Sequence, residues 1–297
     1  MMRDFSRDHR WLSINTATVR RSRGVDLPLP DIIEACARRG IRAISPWRDQ
    51  VAAAGLDRVA TLVKSHGLEL SGYCRGGMFP AADAKGLAAA REDNRRAVDE
   101  ACTLGAACLV LVVGGLPGAL AGHAAHKDIG LARSQVRDGV AELLEYGRAA
   151  GMPLAIEPLH PMYAADRACI NTMEQALDLC DELDGSVADT ERAALGIAVD
   201  VYHVWWDPKL KSQIERAGRR RLLAFHVCDW LTPTTDLLND RGMMGDGVIE
   251  IPRIRSWVEA HGFAGYSEVE IFSANNWWRR DHEEVLDTCI ARHGTVV

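Results

Sequence analysis

From Trp11 to the C-terminus the chain alternates short apolar runs with longer stretches whose apolar residues recur at helical spacing. The short runs predict strands over 11–15, 41–44, 68–73, 108–113, 154–157, 195–200, 222–228 and 266–271. The longer stretches predict helices over 31–39, 56–66, 83–104, 131–150, 172–183, 208–217, 251–261 and 281–293. Within 131–150, Val136, Val140, Leu143 and Leu144 share one face. Gly40, Gly67, Gly105, Gly151 and Gly262 stand where helices should stop.

The strands are nearly continuous in apolar residues, as expected of a parallel sheet covered on both faces. Eight strand–helix repeats in 297 residues predict an α/β fold, a single closed (β/α)8 TIM barrel over 11–297. Residues 1–10 read as a short polar N-terminal extension. An open doubly wound sheet is the competing architecture, but the chain has no GxGxxG turn and no linker between halves.

Candidate chemistry sits where the apolar runs end. In Leu154-Ala-Ile-Glu157-Pro-Leu-His160-Pro an apolar run delivers a carboxylate and stops at once. The same design recurs in Leu195-Gly-Ile-Ala-Val-Asp200, Leu222-Leu-Ala-Phe-His226 and Gly265-Tyr-Ser-Glu-Val-Glu270. A buried carboxylate is costly unless it is paired, protonated or bound to a metal. Taken singly, each acid reads as well as a helix cap, and His226 as a hydrogen-bonded core histidine. In a barrel, however, consecutive strand ends converge on one mouth. Glu157, Asp200, His226 and Glu270 together predict a site for one divalent metal ion. Oxygen and nitrogen donors without thiolate suit Mn²⁺, Mg²⁺ or Co²⁺, with Zn²⁺ also open, and the donor set does not choose among them.

Composition narrows the partners. A net charge of −6 argues against a nucleic-acid-binding surface, and Arg219-Arg-Arg221 reads as a solvated helix end. The eight cysteines show no CxxC spacing. Cys102, Cys108, Cys180 and Cys228 read as small buried hydrophobes, which with the missing signal peptide predicts a reducing cytoplasm. No apolar run approaches a membrane span.

The residues between Glu157 and Glu270 resemble the xylose isomerase-like sugar isomerases and epimerases. This group includes the ketose 3-epimerases and, more distantly, barrel endonucleases of DNA repair. The resemblance implies metal ligands at Glu157, Asp200, His226 and Glu270. It further implies a histidine three residues after the aspartate, His203 in Asp200-Val-Tyr-His203. Its glycine–acid–glycine loop is matched by Arg241-Gly-Met-Met-Gly-Asp246-Gly247. Two positions depart from the ketose 3-epimerases. Tyr163 stands where a second glutamate is expected, and Thr232 where an arginine is expected. The stretch from Glu157 to Arg167 is closer to other sugar-isomerase-like proteins and to large subunits of C-glycoside deglycosidases.

The activity so implied is proton abstraction beside a carbonyl, through an enediolate that the metal stabilises. Glu157 and Glu270 would be both ligands and acid/base pair, while His203, Arg241 and His160 would contact a sugar substrate. Reprotonation would make the enzyme an isomerase or epimerase; loss of a β-leaving group from a 3-oxo-sugar would make it a lyase. Phosphodiester hydrolysis on abasic DNA would need further ligands on early strands, which end in Asn15, Ser45 and Tyr73. Asp229 is read as supporting the site or capping a helix, and Asp166 with Arg167 as a mutual pair. The His123-Ala-Ala-His126 loop is read as solvated, or as the source of a base for elimination. Trp205, Trp206, Trp277 and Trp278 could form a sugar-stacking wall, helix packing or a subunit interface. Exposed tryptophans and the resemblance predict a homo-oligomer.

Overall fold

The computed structural model describes residues 3–185 and 193–297. The barrel strands are β1 (Leu12–Asn15), β2 (Ala43–Ser45), β3 in two pieces (Glu69–Leu70 and Tyr73–Gly77), β4 (Leu109–Val112), β5 (Leu154–Ile156), β6 (Leu195–Asp200), β7 (Leu222–Val227) and β8 (Ser267–Val269). Neighbours pair in parallel, and β8 returns to β1 with Ser267 opposite Leu12. The ring closes through β3, whose first piece pairs with β2 and whose second pairs with β4. Bridges from Trp47 to Cys74 and from Leu70 to Ala106 span the break. The predicted strand over 68–73 therefore changes partner at Ser71-Gly72 and runs on to Gly77. Its last residues, Arg75-Gly76-Gly77, carry no apolar signal. Asn94 holds them instead, its side-chain amide exchanging bonds of 2.6 and 2.7 Å with the Gly77 backbone.

Helices Leu29–Arg38, Leu56–Ser65, Ala84–Leu104, Ile129–Ala150, Met173–Leu183, Leu210–Arg221, Ile251–Ala260 and His282–Val296 fall at the predicted places. The side chains of Asp83, Asp128, Thr172 and Asp281 accept first-turn N–H groups and so fix four of the starts. Two short helices, Arg48–Ala54 and Val201–Val204, were not predicted; each is too brief to show a period. The helix after β6 runs past the predicted end, through a non-helical Gly218, to Arg221. Arg221 is buried rather than solvated, donating to the carbonyls of Leu195 and Asp184. Cys102 is exposed, against expectation; the other seven cysteines are buried, and none of the eight forms a disulfide. In the extension, whose first two residues lie outside the described part, Phe5 is buried and Arg3 pairs with Glu259.

The period of two along each strand sorts its side chains. Leu109, Leu111, Leu154, Ile156, Ile197 and Val199 face the helices in the main core. Val110, Ala155, Ala198 and Ala224 form a separate cluster with Cys74, Cys108 and Leu223. Two residues further along, on the same face as the three alanines, stand Glu157, Asp200 and His226. Small side chains inside the barrel thus leave room for the polar layer above them. Among the described residues, no helix is long and apolar enough to cross a membrane.

Candidate active site

Strand register brings the polar layer together. Asp200 lies opposite His226, and His226 opposite Glu268, across β6, β7 and β8. Glu157 and Glu270 continue β5 and β8 past their last ladder residues; Glu270 N–H donates to the Val227 carbonyl. Glu157, Asp200, His226 and Glu270 are all buried, and one candidate donor atom from each lies within 4.8 Å of the others. This is the set expected from the strand ends.

His226 Nδ1 donates to Glu157 Oε1 at 3.0 Å and stands 3.8 Å from Glu270. Its Nε2 has no hydrogen bond and points toward Glu268 Oε1 at 3.5 Å. Burial alone would drive the proton off this imidazole, but Glu268, Glu157 and Glu270 outweigh it and hold its pKa well above the ordinary range. Burial also raises the carboxyls: Asp200 is pushed up to about 6, and Glu270 is raised with Glu157 adding to the effect. Glu157, Asp200 and Glu270 gathered around His226 form a donor set that could hold a metal ion. A dication would replace the imidazolium proton as the counter-charge.

Glu268 belongs to this centre, although it was not singled out from the sequence. Two residues before Glu270, it points to the same side of β8, one layer deeper. Asn15 Nδ2 and Ser71 Oγ each donate to it at 2.8 Å. Its carboxylate is therefore fixed behind His226, the arrangement that sets the tautomer and orientation of a metal-binding histidine. The signal was present as acid-x-acid at a strand end in Glu268-Val-Glu270.

Arg241 reaches the same carboxylates from a loop. Its Nη1 donates to Asp200 Oδ2 at 2.9 Å and Glu270 Oε2 at 3.0 Å. The guanidinium stacks between the rings of Tyr202 and Phe272 at 4.5 and 5.1 Å. A two-residue ribbon, Asp229–Trp230 against Arg241–Gly242, presents it. Asp229 ties that loop down by accepting N–H bonds from Trp230, Gly245 and Ile249. Gly247 passes so close that a Cβ there would lie 2.2 Å from the Trp230 carbonyl oxygen, which accounts for the second glycine of the motif. Asp246 faces away and pairs with Arg292.

His203 stands beside Arg241. The backbone N–H of His160 donates to its Nδ1 at 3.2 Å, and burial keeps its pKa well below the ordinary value. A neutral ring accepting at Nδ1 carries its proton on Nε2. That nitrogen is 3.6 Å from Asp200 Oδ2 and 3.2 Å from Arg241 Nη2. Two donors are thus crowded together with no close acceptor between them, an arrangement ready to hold an oxygen atom.

A cavity of about 480 Å³, counted out to its solvent-open mouth, lies over these groups. Glu157, Glu270, His203 and Arg241 line it, with Asp200 and His226 buried behind them. Trp47, Tyr163 and Phe272 supply aromatic walls that sequence reasoning did not assign. The Tyr163 and Tyr202 hydroxyls both donate to the Leu237 carbonyl, at 2.6 and 3.0 Å, strapping residues 231–240 across the mouth. Tyr163 thus fills the family's glutamate position with a loop anchor, while Thr232 is exposed.

Other expected contacts lie elsewhere. His160 is not among the lining residues; its ring packs on Trp230 at 5.0 Å and Trp206 at 5.6 Å. Trp277 and Trp278 are buried, and Trp205 leans on Trp230. Trp277 and Trp278 are therefore internal packing, while Trp205 and Trp206 are half-buried. His123 and His126 stay outside the cavity, although Leu120 of the same loop lines it. Asp166 and Arg167 do not pair: Arg167 lies against the Tyr163 ring at 5.6 Å and lines the cavity.

A parallel eight-fold barrel with acids and histidine gathered at the C-terminal strand ends defines a class of enzyme scaffolds. The family model for the xylose isomerase-like TIM barrel matches residues 33–289, and the chain belongs to that family. Among solved structures, protein SMc04130 from Sinorhizobium meliloti 1021 is 55% identical, with TM-score 0.89 over 96% of this chain and 98% of that one. IolI protein, described with a bound zinc atom, is 20% identical with TM-score 0.76 over 95% and 96% of the two chains. The 3-keto-D-glucoside 4-epimerase YcjR from E. coli is 15% identical with TM-score 0.71 over 95% and 99%. At those lower identities the likeness is one of fold. No curated protein matches the sequence.

Proposed function

We propose that this protein is a divalent-metal-dependent isomerase or epimerase that moves a proton beside a carbonyl on a sugar or sugar-like keto compound. The observation that carries the reading is the convergence of Glu157, Asp200, His226 and Glu270, with Glu157 and Glu270 also lining the cavity. Those four residues would hold the metal, Mn²⁺ by preference, with His226 giving up its proton and Glu268 steadying the ring. When bound, the metal supplies Lewis-acid stabilisation of negative charge on the substrate's carbonyl and hydroxyl oxygens.

The chain's own groups then divide the work. One of Glu157 and Glu270 takes the proton from the carbon between carbonyl and hydroxyl, and the C–H electron pair becomes the enediolate double bond. The other, starting as the carboxylic acid, gives a proton to the opposite face for epimerisation, or to the former carbonyl carbon for isomerisation, in which the hydroxyl proton passes to the former carbonyl oxygen. The crowded donors, His203 Nε2–H and the outer Arg241 nitrogen, hold a substrate oxygen. Trp47 and Phe272 cover the sugar's apolar face, and the tyrosine-anchored loop limits water.

The test is NMR-detected exchange in D₂O. Protein loaded with Mn²⁺ is incubated with ketoses and 3-oxo-glycosides, and the metal is removed before spectra are taken. Deuterium should enter at the carbon beside the carbonyl, and Glu270→Gln should abolish its entry. The product separates epimer from isomer, and either from an elimination product. A protein that binds no Mn²⁺ by titration calorimetry sinks the proposal.

A further inference from the structure

The cavity holds more positive charge than its carboxylates use. Arg241 is matched by Asp200 and Glu270. Arg75 and Arg167 also line the cavity, yet among the described residues neither guanidinium donates a hydrogen bond or pairs with a carboxylate. They also oppose each other: burial first, and then the charge of Arg167, lowers the pKa of Arg75. Glu157 offsets this only in part and is already engaged with His226.

Unmatched arginines are not the habit of this region. In the adjoining cleft, which shares Trp47, Arg75 and Met78 with the cavity, Arg48 is held by Asp93 and Glu100, and Arg20 by Asp49. Keeping two guanidiniums, that of Arg75 largely buried, on one cavity without a counter-ion costs stability. That cost is recovered when a ligand brings the missing negative charge.

We propose that Arg75 and Arg167 form an anion subsite, so that the substrate is an acidic sugar derivative with a carboxylate or phosphate away from its reacting carbonyl. This rests on the proposed function and deepens it. The cavity is then electrically polar, with acids at the chemical end and free arginines on another wall. A substrate charged at one end enters in one orientation, because its anion is repelled by Glu157 and Glu270 and attracted by the arginines.

Matched twins test the idea by titration calorimetry at low salt with Mn²⁺-loaded protein: D-glucuronate against D-glucose, and D-fructose 6-phosphate against D-fructose. At least one acidic member should bind about tenfold tighter than its neutral twin or better, as charge-assisted guanidinium bonds allow. Which member is preferred separates carboxylate from phosphate. The double variant Arg75→Gln/Arg167→Gln should erase the preference and leave Mn²⁺ affinity unchanged. Equal binding of both twins, binding of neither, or a preference that survives in the folded variant overturns the subsite. Should the variant not fold, the wild-type twins decide. The same titrations without metal keep the two proposals apart: an acidic preference in a protein that binds no Mn²⁺ would leave the subsite standing and remove the metal site. Deuterium exchange with neutral sugars and no charge preference would do the reverse.

Discussion

Two histidines in this barrel are fully buried, and their surroundings push them in opposite directions. His226, at the C-terminal strand ends, sits among Glu157, Glu268 and Glu270, whose charges hold its pKa well above the ordinary value against burial. His293, near the strand starts, stacks on Phe5 at 4.3 Å and is driven down to about 3 by burial, with Arg255 adding to it. Around His293 the charges are closed off. Arg255 donates to the carbonyls of Val297 and Arg3 and to Glu259, while Arg3 reaches Glu259 and the Gly265 carbonyl. Around His226 they are left open, with the carboxylates of Glu157, Glu268 and Glu270 converging on one ring. Buried charge that its own chain satisfies plugs the floor of the barrel. Buried charge that the chain leaves frustrated marks the mouth as the place for a ligand.

The comparison can be broken most forcefully at the mouth. Glu157→Gln should cut the deuterium-exchange rate about 10²–10⁴-fold, the usual scale for a positioned acid or base, while the metal-free protein stays folded by circular dichroism. The floor should answer in stability instead. Glu259→Ala leaves Arg3 and Arg255 without their carboxylate and should cost about 3 kcal/mol in urea unfolding, with the folded fraction exchanging at the wild-type rate.

A finer distinction separates Glu268 from the ligands. Glu268→Gln should weaken Mn²⁺ binding about 10–100-fold in calorimetry without removing it, because the variant disturbs the orientation of His226 rather than a ligand. Wild-type metal affinity should rise with pH through the titration of His226, since the metal must displace that proton. The smallest effect belongs to His293. Its folded-state pKa lies below that of the unfolded chain, so the unfolded state takes up the proton first as pH falls. Its stability contribution is present above about pH 6.5 and is lost toward pH 3. His293→Leu should flatten that part of the pH–melting curve and leave exchange untouched.

Much of this was legible beforehand. The apolar runs and glycine stops located all eight barrel strands, and the abrupt endings at Glu157, Asp200, His226 and Glu270 located the acidic layer. What escaped had weak local signals. Arg75-Gly76-Gly77 is a strand because it joins the ladder of β4 and Asn94 clamps its end, neither of which an apolar pattern shows. Arg221 is buried because carbonyls at Leu195 and Asp184 happen to meet it. His160, between two prolines and three residues from Glu157, looked like a substrate contact, yet its ring packs on Trp206 and Trp230.

The sequence by itself determined the barrel and the layer of its candidate ligands, because short apolar runs and their abrupt ends are local properties that survive in one dimension. Only the tertiary structure decided how that layer is charged. The backing of His226 by Glu268, the matching of Arg241 by two acids and the unmatched Arg75 and Arg167 depend on which distant side chains share a desolvated volume. Electrostatic energy is set by distance and burial, and neither is written in the order of the residues.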